Sequence, residues 1–357
     1  MPARVTYWTG TWDPAKEAIS KEVQLLRTAG GRRGPVVSFS PGQQSAFDGG
    51  QRVWQMSARQ WPMLRLAAPV LERAGRINHI FGGLDASWHL LRSVRRRPLV
   101  FTVVLPGLPS DRRIYERVDC FVAEDETLEQ MLLDAGIPRH RIRLIHPGID
   151  LETYSPAAEP SRQPFRILFA SSPADPAEFE ARGIPLLVET ARLCPDMEFV
   201  LLWRKWGNVS EAHRALERLA PPANVTMEEL GPRGMPAAYR EASALACLYA
   251  PGFGKSCPNS VIEALACGVP ALVSESSGVA PLVVRHGAGL AVSRGADKVA
   301  SAARKLRDAR HMYARAARAL AEQHFDVRTF LAAYEQVYDE LCAWNAKPAT
   351  APQSVPR

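Results

Sequence analysis

Short apolar segments alternate with amphipathic ones along most of this chain, and few folds accommodate that pattern. "RVTYWTG" (4–10) precedes "PAKEAISKEVQLLRTAG". Then come "PVVSFSP", "INHIFGG", "PLVFTVVLPG" and "DCFVAED", several of them separated by "APVLERAG", "ASWHLLRSV" and "ETLEQMLLDAG". Strands that are apolar throughout are buried on both faces, and helical spacing between them predicts βαβ units around a parallel sheet. A second series repeats the pattern: "FRILFAS", "GIPLLVETARLC", "MEFVLLW", "NVTMEEL", "MPAAYREA", "ALACLYA", "NSVIEALAC" and "PALVSES". Between the series, "SPAAEPSRQP" (155–164) is rich in Pro, Ser and Ala, has no periodicity, and reads as a linker. The expectation is an α/β chain with two doubly wound domains, 1–154 and 165–320. In such sheets ligands bind beyond the carboxyl ends of the strands, so a cleft between two domains is the expected site.

Downstream, "YARAARALAEQHFDVRTFLAAYEQVYDELCAW" reads as helical throughout. Residues 321–345 are therefore expected to be C-terminal helices that can return to the N-terminal domain, and 346–357 has the composition of disorder.

With 357 residues, 46% hydrophobic and 23% charged, the chain suits a soluble two-domain protein. The net charge is +7, with clusters at Arg95-Arg96-Arg97 and Arg112-Arg113. An anionic membrane surface or a phosphorylated small molecule would suit that balance, and so would a merely solvated basic surface. Nucleic acid is not expected as a partner, because no zinc-ligand spacing or RNA-binding pattern with interleaved aromatics occurs. No apolar run reaches the roughly 18 residues of a membrane span, and nothing resembles a signal peptide. The six cysteines form no C-x-x-C pair, and Cys120 and Cys247 sit in apolar runs as core residues would. A reduced cytoplasm is the expected compartment, with peripheral contact at the inner face of the membrane as an extension of it.

"GFGKSCPNSVIEALACGVP" (252–270) opens like a phosphate-binding P-loop. That loop needs glycine five residues before its Gly-Lys pair, and Tyr249 stands there. A helix N-terminus can attract phosphate without such a loop, through its free N–H groups. Asn259 and Ser260 are the candidates, with Gly254 shaping the turn; Pro258 has no N–H to offer. The alternative role of Asn259 and Ser260 is to cap the helix, and the two roles are compatible; Ser260-Val-Ile-Glu263 also fits a capping box at a helix start, which is the alternative reading of Glu263.

Four stretches carry a family resemblance: "CPNSVIEALACGVPALVSESSG", "GIPRHRIRLIHPGIDLETYSP" (136–156), "RGIPLLVETARLCPDMEFVLLW" and "HGAGLAVSRGADKVASAARKL". Together they resemble glycosyltransferase family 4, enzymes of the GT-B fold with two Rossmann-like domains. The resemblance covers roughly residues 130–340; the N-terminal half matches mainly in architecture. It implies that Glu263 accepts hydrogen bonds from the ribose hydroxyls of a nucleotide-sugar donor, a task suited to paired carboxylate oxygens. It places Arg182 where the family has a lysine that reaches the donor diphosphate. Lys205 is a second candidate cation, and each of the two reads alternatively as a solvated loop charge. On the acceptor side, Gly10 ends the first strand, where glycine admits a ligand or simply makes a turn. His79 and His146 read as structural.

Two positions depart from the family pattern. Lys255 stands where the family has an acidic residue that contacts the transferred sugar, and Pro281 replaces a later glutamate. A lysine there donates hydrogen bonds where a carboxylate would accept them, which would favour a more anionic donor. The alternative reading of Lys255 is a surface lysine without a role. The resemblance implies a glycosyltransferase acting with retention on a nucleoside-diphosphate sugar and a glycan or lipid-linked acceptor, in polysaccharide or glycolipid synthesis. No metal and no cofactor besides the donor co-substrate are expected, and no catalytic residue is singled out. Rival readings are an inactive nucleotide-sugar-binding protein, and an epimerase or phosphorylase on the same scaffold.

Overall fold

The structure, a computed structural model, describes residues 4–29, 34–40, 44–108, 112–157, 164–173, 175–203 and 208–346. Most of the stretch read as a linker, the tail beyond 346, and Lys205 lie outside the described residues. The chain forms two compact units. Unit 1 comprises Met1–Ala123, Glu129–Ile145 and Leu331–Arg357; unit 2 comprises Glu124–Leu128 and His146–Phe330.

Among the described residues, unit 1 is built on eight strands: β1 (Val5–Thr9), β2 (Val36–Phe39), β3 (Ala46–Asp48), β4 (Val53–Met56), β5 (Ile77–Gly83), β6 (Leu99–Leu105), β7 (Cys120–Ala123) and β8 (Ile142–Leu144). Their order is β3-β4-β2-β1-β5-β6-β7-β8. Every pair is parallel except β3 with β4. The apolar runs become strands buried along their whole length, as in β1, β2 and β5. At the sheet edge β3 is exposed at every residue, so it carries no apolar run to read.

Among the described residues, unit 2 has six parallel strands: β9 (Phe165–Phe169), β10 (Met197–Trp203), β11 (Val225–Glu229), β12 (Ala244–Cys247), β13 (Ala271–Ser274) and β14 (Gly289–Val292). Their order is β11-β10-β9-β12-β13-β14. Alternate residues of one strand enter opposite cores. Leu168 joins Val261 and Leu265 of helix Asn259–Ala266 on one face. Ile167 and Phe169 join Leu187 and Ala191 of helix Ile184–Leu193 on the other. Both faces are thus dry, which is why the strands lack polar alternation. The strand order reverses between β9 and β12, and at that point the carboxyl ends leave a crevice.

The C-terminal stretch read as helical throughout divides into two helices. Helix Arg310–His324 ends at Phe325, and a second helix runs from Val327 to Ala346. Ile149 causes the break: its N–H donates to the Phe325 carbonyl at 2.7 Å, and its carbonyl accepts the N–H of Val327 at 3.0 Å. Asp326 then accepts the N–H of Arg328 at 2.8 Å and restarts the helix. The second helix docks in unit 1 through a buried polar chain. Tyr338 Oη lies 2.6 Å from His79 Nδ1, and Thr102 Oγ1 lies 2.7 Å from His79 Nε2 and 2.8 Å from Tyr334 Oη. His79 is structural, and burial pushes its imidazole well below the usual range. Cys120 and Cys247 are core residues whose thiols burial pushes up to about 11 and about 12.

Candidate functional site

The candidate site lies in unit 2, where β9 and β12 end. β9 runs out into Ser171, and β12 runs out through Tyr249 into the turn that starts helix Asn259–Ala266. Gly254 is required in that turn: its φ is +75°, and a Cβ there would meet the Tyr249 ring at 2.9 Å. The helix begins after Pro258, which supplies no side-chain cap. The N–H of Val261 donates back to the Pro258 carbonyl at 2.9 Å. The N–H groups of Asn259 and Ser260 precede the first intrahelical bonds, so they are the positive end of the helix dipole.

The helix start bears on the capping-box reading of Ser260-Val-Ile-Glu263. Ser260 lies inside the helix rather than at its cap, and its hydroxyl pairs with Ser171 across the crevice at 3.0 Å. The motif is not a capping box. Glu263 sits one turn further along, 1% exposed, and its Oε2 accepts a hydrogen bond from Tyr239 Oη at 2.8 Å. Tyr239 is itself fully buried in helix Gly234–Glu241 and fixes the carboxylate's orientation. Sequence reasoning missed Tyr239, because a tyrosine in an amphipathic helix reads as core until its hydroxyl is seen to reach a partner.

Arg182 comes to the same place from the other side of the crevice. It is the last residue of helix Phe179–Arg182, followed by Gly183 with φ +80°. A Cβ on Gly183 would meet the Leu248 carbonyl at 2.5 Å, so glycine brings this turn against the end of β12. Arg182 Nε donates to Glu178 at 2.7 Å, and Nη1 donates to the Ser171 carbonyl at 3.1 Å. Its guanidinium lies 5.8 Å from the Tyr249 ring centroid and 5.4 Å from that of Phe253. The two rings pack edge to face at 5.7 Å. This aromatic support also escaped sequence reasoning, since nothing local shows that Arg182 reaches the two rings. It holds a charged group by its planar face while Nε and Nη2 pair with Glu178 at 2.7 Å.

Lys255 is neither a surface lysine nor an uncommitted charge. Its side chain is 9% exposed, and its ammonium lies 3.1 Å from Glu124 Oε2. It also donates to Asn259 Oδ1 at 2.9 Å, which fixes the first residue of the helix. Glu124 is 1% exposed. Next to it Asp125 is also buried: burial pushes its carboxyl up, while its Oδ1 accepts the N–H of Leu128 at 2.9 Å. Pro281 takes an opening position of helix Ala280–Arg285, where a missing N–H costs nothing.

The structure therefore gathers Arg182, Lys255, Asn259, Ser260 and Glu263 around one crevice. Gly10 lies in unit 1, immediately after β1. His146 hydrogen-bonds the Glu124 carbonyl through Nδ1 at 2.7 Å and packs against His324 and Phe325, a structural placement. Among the described residues no cluster of three or more His, Cys, Asp or Glu side chains could hold a metal ion.

Residues 167–309, which contain this crevice, match the family model described as Glycosyl transferases group 1. No curated protein matches the chain in sequence. Among solved structures, Alr3699/HepE of Anabaena in complex with UDP is similar at 17% identity with a TM-score of 0.70, covering 95% of this chain and 100% of that one. Sucrose-phosphate synthase of Thermosynechococcus elongatus is similar at 17% identity with a TM-score of 0.73, covering 96% and 100%. WaaG, a glycosyltransferase involved in lipopolysaccharide biosynthesis, is similar at 13% identity with a TM-score of 0.65, covering 94% and 99%. The fold is that of the GT-B glycosyltransferases, an α/β architecture with two Rossmann-like domains.

Proposed function

We propose that this chain is a glycosyltransferase that binds a nucleoside-diphosphate sugar in unit 2 and transfers the sugar, with retention, to a glycan or lipid-linked acceptor. One observation carries the reading: a buried carboxylate, two helix-terminal N–H groups and an aromatic-backed guanidinium meet at the β9–β12 crevice, inside the stretch that matches the family model. Support comes also from neighbours solved with UDP and with UDP-glucose. In this reading Glu263 accepts the ribose hydroxyls and Tyr239 positions it. Asn259 and Ser260 donate their N–H groups to the diphosphate, and Arg182 adds a fork of donors. Lys255 contributes positive charge and holds Asn259 at the helix start. As the sugar leaves, negative charge grows on the diphosphate. The helix-terminal N–H groups are already in place, so their stabilisation of it costs no reorganisation, while Arg182 exchanges its pairing with Glu178 for the diphosphate. The reaction proceeds without a bound metal, and Lys205 and Gly10 remain candidates for donor and acceptor contacts.

A second reading, nucleotide-sugar binding without transfer, is favoured by the pairing of Lys255 with Glu124. The position that reads the sugar in the family is here occupied by an ion pair.

Thermal shift across UDP-, GDP- and ADP-sugars, followed by product analysis with glycan and polyprenyl-phosphate acceptors, tests both. A donor at 100 times its dissociation constant stabilises by about 2.7 kcal/mol. Stabilisation with an α-retained product supports transfer. Stabilisation with no product from any acceptor leaves the binding scaffold, and no stabilisation by any donor defeats both readings.

A further inference from the structure

Three of the most exposed large apolar side chains fall on one short helix of unit 1. In helix Trp61–Leu71, Met63 is 58% exposed, Leu66 79% and Val70 70%. Positions i, i+3 and i+7 share one face. The opposite stripe, Leu64 and Ala68, is fully buried in the core. Pro62 and Pro69 are exposed as well. Single exposed apolar residues are ordinary, but a helix whose outward face is apolar along its length marks a surface that something covers. Phe47, 62% exposed on β3, is tied to the start of this helix, because Ser45 Oγ donates to Gln60 at 2.6 Å.

The charge around this face is mainly positive, with Asp48 exposed beside Phe47. From residue 49 to residue 84 the exposed charged residues are Arg52, Arg59, Arg65, Arg73 and Arg76. The sole acid in that stretch, Glu72, is turned inward, 7% exposed, with its Oε2 accepting the N–H groups of Arg95 at 2.8 Å and Arg96 at 3.0 Å. A second copy of this chain would present the same positive face to itself across a two-fold axis, and would be repelled. A short helix with an apolar outer face, set among arginines that flank it in the chain, suits an element that lies in the plane of a lipid interface. Among the described residues no helix is long and apolar enough to cross a membrane.

We propose that the outer face of helix Trp61–Leu71 docks unit 1 onto an anionic lipid surface. Met63, Leu66 and Val70 enter the headgroup–acyl boundary, and the arginines pair with lipid phosphates. The proposal stands apart from the sugar-transfer reading, because the test uses neither donor nor acceptor.

The experiment is co-sedimentation of the full chain with phosphatidylcholine vesicles, with and without phosphatidylglycerol. Binding is expected only with phosphatidylglycerol and is expected to fall with added salt. The triple variant Met63→Ser/Leu66→Ser/Val70→Ser is expected to lose about tenfold or more in partitioning. Arg65→Gln and Arg73→Gln should each lose about fivefold. Circular dichroism confirms that each variant is folded, and the arginine variants carry the test if the triple variant is not. Absence of wild-type binding overturns the proposal, as does wild-type-like binding by the folded variants. A lipid-independent dimer that the triple variant dissolves also overturns it, since the face would then belong to a second copy.

Discussion

In unit 2 the crevice where strand order reverses, between β9 and β12, collects Arg182, Ser171, Ser260 and Glu263, each held by a named partner. The corresponding crevice of unit 1, between β1 and β5, opens on Gly10, Thr11 and the Gly82–Gly83 end of β5, with Asp85 exposed beside them. The two sheets share their winding, so the fold supplies the crevice twice. Among the described residues, unit 2 furnishes it with cations and helix-terminal N–H groups suited to a phosphorylated ligand, whereas in unit 1 Thr11 has Ser20 and the half-buried acid Glu17 beside it. A parallel sheet decides where a ligand can sit; the residues beyond its carboxyl ends decide which one.

That contrast can be broken at the Lys255–Glu124 pair. Removing one partner of a buried ion pair strands the other, at a cost of about 3–5 kcal/mol, whereas replacing both with apolar groups is often close to neutral. Lys255→Met should therefore destabilise the protein by about that amount in urea unfolding, and Glu124→Leu with Lys255→Met should recover most of it. A single variant costing under about 1 kcal/mol would show that the pair behaves like an exposed one and anchors nothing.

The glycines sharpen the same comparison. Gly254→Ala forces a side chain into the left-handed region at φ +75° and against the Tyr249 ring. It should cost at least about 1–2 kcal/mol from the backbone alone. Gly10 has no atom within 4 Å of a Cβ position and no positive φ, so Gly10→Ala should stay within about 0.5 kcal/mol. Equal costs in differential denaturation would undo the claim that one turn is built tightly and the other left open.

Unit 1 has its own pH dependence. Burial holds His79 neutral well below the usual imidazole range. The unfolded chain takes up a proton near pH 6.5 while the native chain does not. Stability is therefore full above that pH and falls as pH drops, by up to about 1.4 kcal/mol per pH unit from this group. Urea unfolding of wild type and His79→Phe between pH 7 and pH 5 should show the steeper decline in wild type. Parallel declines would mean that His79 is accessible in the native state.

The long apolar strands were legible because burial on both faces leaves a run that needs no partner to be recognised. Strands β3, β4, β8 and β14 were not, being buried only in part, with β3 wholly exposed. The break at Phe325-Asp326 was invisible because Ile149, which makes it, lies far upstream. In the site, Glu263 and Ser260 stood out because one short helix carries both. Lys255 could be noticed but not explained: its partner Glu124 follows β7, and only the fold brings them together. Tyr239 and the Tyr249–Phe253 pair are likewise tertiary facts. Lys205 was singled out too and lies outside the described residues.

The central claim is that Glu263 holds the ribose of a nucleoside diphosphate in unit 2. Titration calorimetry with UDP, and with GDP or ADP if UDP is silent, compares wild type with a folded Glu263→Gln variant. The account predicts saturable wild-type binding, weakened in the variant by about 1.5–3 kcal/mol, the range for a hydrogen bond to a charged group. The deoxyribose nucleotide that lacks the 2′-hydroxyl should lose affinity for wild type but little further for the variant. Equal affinity of both proteins for the nucleotide would contradict the account, and so would the absence of nucleotide binding by wild type.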